Sequence, residues 1–414
     1  MNHLQLFLPC AAGVEDYLQQ EVVHITRQES GAVHKRRGGV SLEATWRDAQ
    51  LLNLHSRLAQ RVLVQLTHAD YRNEQDLYRA ASAVAWEIWF TPRQSIKVEV
   101  TAQHSPVHSL NFAALKIKDA VCDRFRDRAG GVRPDVDTQH PDIRIYTHLT
   151  TDTVSLYIDT SGEALFKRGW REDKGEAPLK ETLAAAMIAA SGWGADIRLP
   201  LYDPCCGSGT IAIEAAQIAC YIAPGSLRRF AFEKMLPFQE HVWTALRMQA
   251  HDAQRPAGAK PLIFGSDVAH RMVDFAQRNA QRAGVAAMIE FRGGDALQRL
   301  PPVDGPGTML LNPPYGERIE VGGVASPGRR EHAHTADGGD FFVQLATHWK
   351  KNFAGWTAWL LTPDLKLPGK MRLKETRRVP MWNGPIECRL FRFDMVQGSA
   401  RGAPAGEKTK HPVA

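Results

Sequence analysis

The sequence predicts an α/β protein in which a doubly wound, mostly parallel sheet follows a smaller α+β layer. From residue 178 onward, short apolar runs alternate with amphipathic helical patterns, as in doubly wound sheets. A glycine turn, Gly207 to Gly209, lies between one such run and the next helical pattern. Before residue 161, strand and helix patterns are short and alternate, which is typical of a small α+β layer.

The N-terminal patterns form two successive units, 1–65 and 66–160. The strands are predicted at 4–8, 39–44, 61–66, 95–100, 143–149 and 154–158. The helices are predicted at 13–24, 46–57, 77–86 and 111–128. In the last helix the predicted buried stripe consists of Leu115, Ala120, Val121 and Phe125. Its other face is basic and includes Lys116 and Lys118. These lysines either bind RNA or form ion pairs with the interleaved aspartates on a charge-laced helix surface.

The C-terminal part follows a predicted linker, 161–177, which is polar and contains glycine. Within 178–396 the helices are predicted at 179–191, 210–220, 268–283 and 339–353. The strands are predicted at 198–203, 261–266, 288–292, 308–311 and 357–362, before a β-rich stretch at 376–396. Residues 397–414 are rich in Gly, Ala, Pro and Lys and are predicted to be a disordered tail.

Composition narrows the class of protein. Of 414 residues, 44% are hydrophobic and 23% charged, and no apolar run reaches the roughly 18 residues of a membrane span. The N-terminus lacks the basic segment of a signal peptide. The six cysteines are scattered without a CxxC pair, which favours neither a disulfide framework nor a metal site. We therefore expect a cytoplasmic protein without a membrane partner.

The net charge of +6 is unevenly distributed. Residues 1–175 hold 22 Lys/Arg and 22 Asp/Glu, so the excess lies in the C-terminal part. One cluster comprises Lys366, Lys370, Arg372, Lys374, Arg377 and Arg378, with Glu375 as its only acid. Such a cluster either binds the phosphates of a nucleic-acid backbone or is an ordinary solvent-exposed surface or loop.

A cofactor site is predicted where an apolar strand ends at Asp203 and the glycine turn begins. Glycine lets backbone approach a ligand, and the amides of the following helix can accept a carboxylate. Two later acids, Asp267 and Asp295, close the next two strands, where a ribose and an adenine amino group could be bound. Their structural alternatives are a helix N-cap and a turn.

The spacing argues against a nicotinamide cofactor. A dinucleotide fold places its ribose acid about 20 residues after the glycines. Here 58 residues separate Gly209 from Asp267, and position 212 is Ala where a third glycine is expected. The excess length is an insertion, 221–260.

An amino-group clamp is predicted at Asn312, Pro313, Pro314 and Tyr315, which follow the strand 308–311. The lone pair of an exocyclic amine is delocalised, so two acceptors aimed at its hydrogens favour tetrahedral geometry and stabilise developing positive charge. The Asn312 side-chain oxygen and the Pro313 carbonyl suit that task, and the Tyr315 ring can stack on a base. A sulfonium methyl donor held in line completes the transfer without a strong base. The alternative is a proline-rich turn.

These segments resemble a known family. The motifs lie at 114–120, 177–185, 201–211, 228–234 and 312–319. They are similar to class I S-adenosylmethionine-dependent methyltransferases with an N-terminal THUMP domain. Within that family the sequence most resembles bacterial 23S ribosomal RNA guanine-N2 methyltransferases, the type that modifies guanine 2445. The likeness extends over about residues 1–395, with Cys205 at a position that is commonly Met or another apolar residue.

The resemblance implies a ferredoxin-like segment, a THUMP RNA-binding domain and a Rossmann-like class I methyltransferase domain. It implies that Asp203 and the glycines hold the methionine end of the cofactor, that Asp267 binds the ribose and that Asp295 binds the adenine. The residues expected to line the S-adenosylmethionine pocket are Leu179, Lys180, Thr182, Asp203, Cys205, Gly207, Ser208, Gly209, Thr210, Asp267 and Asp295. Lys116 and Lys118 become candidates for RNA contacts.

Other functions stay open at this point. One is methylation of guanine in tRNA, and another is methylation of DNA adenine or protein glutamine. A third is a non-catalytic RNA-binding or ribosome-assembly module. Some family members are longer fusions that carry a second methyltransferase. Because this chain ends after the first, a single activity is expected for it. The loop 321–339 is expected to be a substrate lid or disordered.

Overall fold

The computed structural model describes residues 3–175, 178–256, 261–313, 323–324, 330–331 and 338–396. The N-terminal strands are β1 (Leu4–Pro9), β2 (Val33–Arg36), β3 (Gly39–Ala44), β4 (Leu63–Asp70), β5 (Ile96–Ala102), β6 (Ile143–Leu149) and β7 (Thr153–Asp159). The N-terminal helices are α1 (Glu15–Thr26), α2 (Trp46–His55), α3 (Glu74–Ala83) and α4 (Leu110–Arg128). They agree with the predicted elements to within a few residues, except that β2 was missed. Only Val33 of β2 is buried, so the strand lacks an alternating pattern.

The two N-terminal units share one seven-stranded sheet, in the order β2-β3-β1-β4-β7-β6-β5. Strand β4 joins them, because it pairs antiparallel with β1 on one side and with β7 on the other. Its pairing with β7 runs from Leu63 to Asp70, with an irregularity between Gln65 and Thr67. The predicted boundary between 65 and 66 therefore falls inside one strand. This continuity ties the positions of the two units to each other.

The predicted stripe of α4 was wrong at one position. Leu115 is 54% exposed, whereas Ala113, Ile117, Val121 and Phe125 are buried. The buried residues recur at the four-residue helical spacing, and Leu115 lies two residues out of that phase.

The C-terminal part contains the second seven-stranded sheet. Its strands are β8 (Leu201–Asp203), β9 (Ile263–Asp267), β10 (Ile289–Gly293), β11 (Thr308–Leu311), β14 (Thr357–Thr362), β15 (Arg377–Asn383) and β16 (Ile386–Asp394). The short strands β12 (Gly323–Val324) and β13 (Arg330–Glu331) pair separately. The helices are α5 (Glu181–Ser191), α6 (Thr210–Ala219), α7 (Glu240–Asp252), α8 (His270–Arg282), α9 (Gly338–Asn352) and α10 (Leu367–Met371).

The second sheet has the order β10-β9-β8-β11-β14-β16-β15. Its first five strands run parallel, and β16 runs antiparallel to both of its neighbours. The prediction of a doubly wound, mostly parallel sheet is confirmed. Helix α7, inside the predicted insertion 221–260, and the short helix α10 were missed. The five residues of α10 contain too little periodicity to stand out.

The described part of the predicted linker, 161–175, contains no helix or strand but is well packed. Trp170 and Arg168 are almost fully buried. Arg168 Nε donates to Glu214 Oε1 of α6 at 3.0 Å, and Arg57 Nη1 of the N-terminal part donates to Glu214 Oε2 at 3.1 Å. This buried cluster fastens the N-terminal part to the C-terminal part. The predicted tail, 397–414, lies outside the described residues.

None of the helices within the described ranges is both long and apolar enough to cross a membrane.

Candidate active site

The predicted site residues meet at one edge of the second sheet. Asp203 and Asp267 end β8 and β9, and Asn312 follows β11. Strands β8 and β9 are parallel neighbours, as are β8 and β11. Because the carboxyl ends of parallel strands share one edge, the glycine turn and the predicted clamp lie on adjacent strand ends.

The two glycines of the turn have different roles. Both are left-handed, with φ of +52° at Gly207 and +88° at Gly209. A Cβ added to Gly209 would lie 3.0 Å from the Cβ of Ala276, so this glycine lets α6 begin close against α8. A Cβ added to Gly207 would meet no atom of the described residues within 4 Å. The backbone at Gly207 thus borders open space, beside the amides that begin α6, and a ligand can approach it there.

The Asp267 carboxylate holds the turn in place. Its Oδ2 accepts from the Gly207 amide at 2.9 Å, and its Oδ1 accepts from the Ala269 amide at 3.0 Å. Burial raises the pKa of Asp267, and these two amides oppose that shift. Each oxygen has a second lone pair, so the carboxylate can also accept ligand hydroxyls.

Asp203 is 2% exposed, and its Oδ1 accepts from the Cys205 amide at 3.1 Å. Burial, opposed by the Cys205 amide and assisted by the charge of Asp267, raises the pKa of Asp203 to about 8. A positively charged ligand group beside this carboxyl would favour its ionised form.

Cys205 and Asp295 complete the predicted cofactor residues at the strand ends. Burial raises the pKa of the Cys205 thiol well above its ordinary value, so the thiol is neutral. Asp295 Oδ1 accepts from the Leu297 amide at 2.9 Å, which is the turn-forming role considered as its alternative. That contact leaves the second carboxylate oxygen available to a ligand.

Sequence reasoning missed Arg171, which links the two predicted cofactor segments. Its guanidinium donates to Glu181 Oε1 at 2.8 Å and to the Leu179 carbonyl at 3.2 Å. It also donates to Ser208 Oγ at 3.0 Å and to Thr210 Oγ1 at 2.7 Å. One side chain thus ties residues 179–181 to the glycine turn. Arg171 lies in the predicted linker, where no motif marks it.

The other predicted residues of this segment differ in exposure. Leu179 and Thr182 are buried. Lys180 is exposed, and its Nζ lies 5.2 Å from the centre of the Phe166 ring. Lys180 therefore borders the turn region from outside, whereas the other two belong to the packed interior.

Asn279 of α8 is a second missed residue. Its Nδ2 donates to the Ser208 carbonyl at 3.1 Å and to the Asp173 carbonyl at 2.8 Å. Asn279 is fully buried. The main chain of the turn is therefore held by Asn279 of α8 as well as by Arg171.

The predicted clamp is described in part. Asn312 Oδ1 is buried and has no hydrogen-bond partner within the described part of the chain. A buried carbonyl oxygen without a donor is costly, so the site suits a ligand that brings one. Pro313 is buried beside it, and Pro314 and Tyr315 lie outside the described residues. Of the loop 321–339, the described residues are 323–324, 330–331 and the start of α9.

The basic face of α4 is largely neutralised. Lys118 pairs with Asp119, and Arg124 pairs with Glu87. Lys116 instead lies over the exposed Phe112 ring, with its Nζ 5.4 Å from the ring centre. The charge-laced alternative thus describes most of this face.

Three known domains match the chain. An RMKL-like methyltransferase domain matches residues 168–392, and a THUMP domain matches residues 71–159. An RlmL ferredoxin-like domain matches residues 5–63.

Curated relatives are about twice as long as this chain. The ribosomal RNA large subunit methyltransferase K/L of Psychromonas ingrahamii is 37% identical over 94% of this chain and 50% of its own length. That of Shewanella loihica is 38% identical over 96% of this chain and 54% of its own length. The chain thus spans about half the length of the curated relatives it matches.

Solved structures share the whole fold. SMU.472, crystallised with SAH, is 26% identical and has a TM-score of 0.81, over 96% of this chain and all of that chain. A possible methylase from Clostridium difficile 630 is also 26% identical and has a TM-score of 0.82, with the same coverage. SAH, which the first of these structures contains, is the demethylated form of S-adenosylmethionine.

Proposed function

Because the chain belongs to the RMKL-like methyltransferase family, we propose that it methylates the exocyclic N2 amino group of a guanine in 23S ribosomal RNA, guanine 2445. S-adenosylmethionine is the proposed methyl donor. The observation that carries the proposal is Asn312 Oδ1, on the strand end next to Asp203, which is buried and has no hydrogen-bond partner among the described residues.

The clamp is proposed to act on the guanine. Asn312 Oδ1 and the Pro313 carbonyl accept the two amino hydrogens and favour a tetrahedral nitrogen with an available lone pair. Pro314 and Tyr315 complete the proposed motif, and the Tyr315 ring is proposed to stack on the base and hold its plane. The nitrogen, positively charged after the transfer, would release its proton to water, so a strong general base is unnecessary.

The cofactor is proposed to lie along the ends of β8, β9 and β10. S-adenosylmethionine, when bound, supplies an electrophilic methyl group on a sulfonium. Asp203 faces the charged amino-acid end, Asp267 binds the ribose and Asp295 the adenine amino group. The backbone at Gly207 and the start of α6 border the methionine portion, with Arg171 holding Ser208 and Thr210 in position.

The N-terminal part is proposed to recruit RNA. We divide the chain into a ferredoxin-like segment (1–65), a THUMP domain (66–160), a connecting segment (161–177), a methyltransferase domain (178–396) and a tail (397–414). Lys116 and Lys118 remain proposed RNA contacts in the THUMP domain. Ribosomal RNA as substrate is consistent with action in the cytoplasm on the large subunit or its precursor.

The direct test is methyl transfer by the purified chain. We would incubate it with labelled S-adenosylmethionine and unmodified 23S rRNA, tRNA or duplex DNA, and then map the labelled base. N2-methylguanine at position 2445 is the expected product. If label appears in tRNA alone, the substrate is tRNA and not 23S rRNA. If label appears on adenine, the target base is adenine and not guanine. No transfer to any nucleic acid, with cofactor bound, would favour a non-catalytic role.

A further inference from the structure

The segment after β14 leaves the sheet beside the proposed clamp. Strands β11 and β14 are parallel neighbours, with Leu311 opposite Leu360. Residues 363–366 therefore begin at the edge where Asn312 lies. Strand β15 begins at Arg377, which pairs with Arg392 of β16. Arg392 in turn pairs with Trp359, near the start of β14. The segment 363–376 thus descends from the site edge along the outside of the sheet.

This segment and the first two residues of β15 contain most of the net charge of the chain. Together, residues 364–378 hold six Lys/Arg and two Asp/Glu, a net of four positive charges, against +6 for the whole chain. Both acids are already paired, Asp364 with Lys370 at 2.6 Å and Glu375 with Arg378 at 2.7 Å. The cations without an acidic partner among the described residues, here called the basic row, are Lys366, Arg372, Lys374 and Arg377, and all four are exposed.

The backbone that presents the basic row is held in place. Leu367 and Met371 of α10 are buried. The Asp364 carboxylate accepts from the Lys366 amide at 2.9 Å, and Lys350 Nζ donates to the Arg372 carbonyl at 3.0 Å. The exposed cations therefore project from an anchored segment, so binding an anion there does not require ordering a loop.

We propose that the basic row binds phosphates of the RNA strand that enters the proposed site. This inference rests on the proposed function, since it assigns the strand that the clamp must receive. Uncompensated positive charge beside a site attracts a polyanion, whereas cations paired with acids contribute little. On the α4 face, Arg124, Arg126 and Lys118 have acidic partners, so the RNA contacts proposed there are expected to contribute less than the basic row.

The test compares two double variants of equal charge. Lys366→Ala/Lys374→Ala removes two cations of the basic row. Lys35→Ala/Arg198→Ala removes two exposed cations elsewhere, which are paired with Asp16 and Asp196. RNA binding by the full chain is measured from low to moderate salt on a fragment of 23S rRNA. The dissociation constant for S-adenosylmethionine and kcat at saturating RNA are measured in parallel.

The row variant is expected to reduce the slope of log affinity against log salt by about 1.4 units, at roughly 0.7 for each lost contact with a single strand. Its KM for RNA should rise, while kcat and cofactor affinity stay at the parent values and the control variant behaves like the parent. Equal slopes for the row variant and the parent would overturn the proposal, as would equal losses in both variants. Because binding is measured without turnover, this result is independent of whether the parent methylates the RNA.

Discussion

The Gly207 amide donates to Asp267 Oδ2 at 2.9 Å, although 60 residues separate the two in the chain. This bond joins the turn after β8 to the end of β9, so the acid proposed to bind the ribose also sets the shape of the turn. A change at Asp267 should therefore affect both the charge and the geometry of the pocket.

Replacing Asp267 with Asn is expected to weaken S-adenosylmethionine binding by about tenfold or more, because an NH2 group cannot accept from the backbone amides. Isothermal titration would measure the dissociation constant. Asp252→Asn, a change at an exposed aspartate on α7, is the matched control. A parent-like dissociation constant for Asp267→Asn would remove this carboxylate from the cofactor site.

Asn312→Ala is expected to reduce kcat by about 10²-fold or more, if the loss of an acceptor resembles the loss of an oxyanion donor. Cofactor affinity should stay near that of the parent, because Asn312 lies on the neighbouring strand end. Single-turnover methylation separates the chemical step from product release. Asn352→Ala, at the far end of α9, controls for general damage. Equal rates for Asn312→Ala and the parent would contradict the clamp.

Arg171→Lys is expected to raise the dissociation constant for S-adenosylmethionine by about tenfold, since an ammonium cannot reproduce a fork that spans four acceptors. The retained charge opposite Glu181 limits the loss of folding stability. The measurements are cofactor titration and thermal unfolding, with Arg198→Lys as the exposed control. A large fall in Tm with unchanged cofactor affinity would show that Arg171 supports only the fold.

The ligand-free protein should become less stable relative to Asp203→Asn as pH rises. Burial raises the pKa of Asp203 to about 8, whereas an aspartate in an unfolded chain ionises near roughly 4. Between these values the folded state holds a proton that the unfolded state has lost, so stability falls with increasing pH. Urea unfolding of both proteins at pH 5, 6.5 and 8 measures the difference. A difference that is independent of pH would contradict the raised pKa.

Glu214→Gln is expected to lower the free energy of unfolding by about 3 kcal/mol or more, because it removes the buried carboxylate with which both Arg57 and Arg168 pair. Glu375→Gln breaks an exposed pair with Arg378 and should cost less than about 1 kcal/mol. Chemical denaturation compares the two. Similar small losses would show that the buried cluster does not hold the two parts together.

Much of the fold was predictable because it is locally encoded. Strand β14 and helix α4 stand out through period and burial, and the glycine turn through its residue types. Errors arose where local pattern is weak, as in β2 with its single buried residue, or where the phase of a helix was misjudged, as at Leu115. The segment 161–175 looked like a linker because its composition is polar, and its buried arginines find partners only in the folded chain.

The sequence by itself determined the alternating elements, the turn at Gly207 and the motif at Asn312, because periodicity and turn chemistry depend on near neighbours. Only the tertiary structure decided that β4 joins the two N-terminal units, that Arg171 holds the turn and that the basic row begins at the sheet edge of the clamp and runs away from it along the sheet. Each of these depends on which distant strands and helices become neighbours, and that choice is made by the packing of the whole chain.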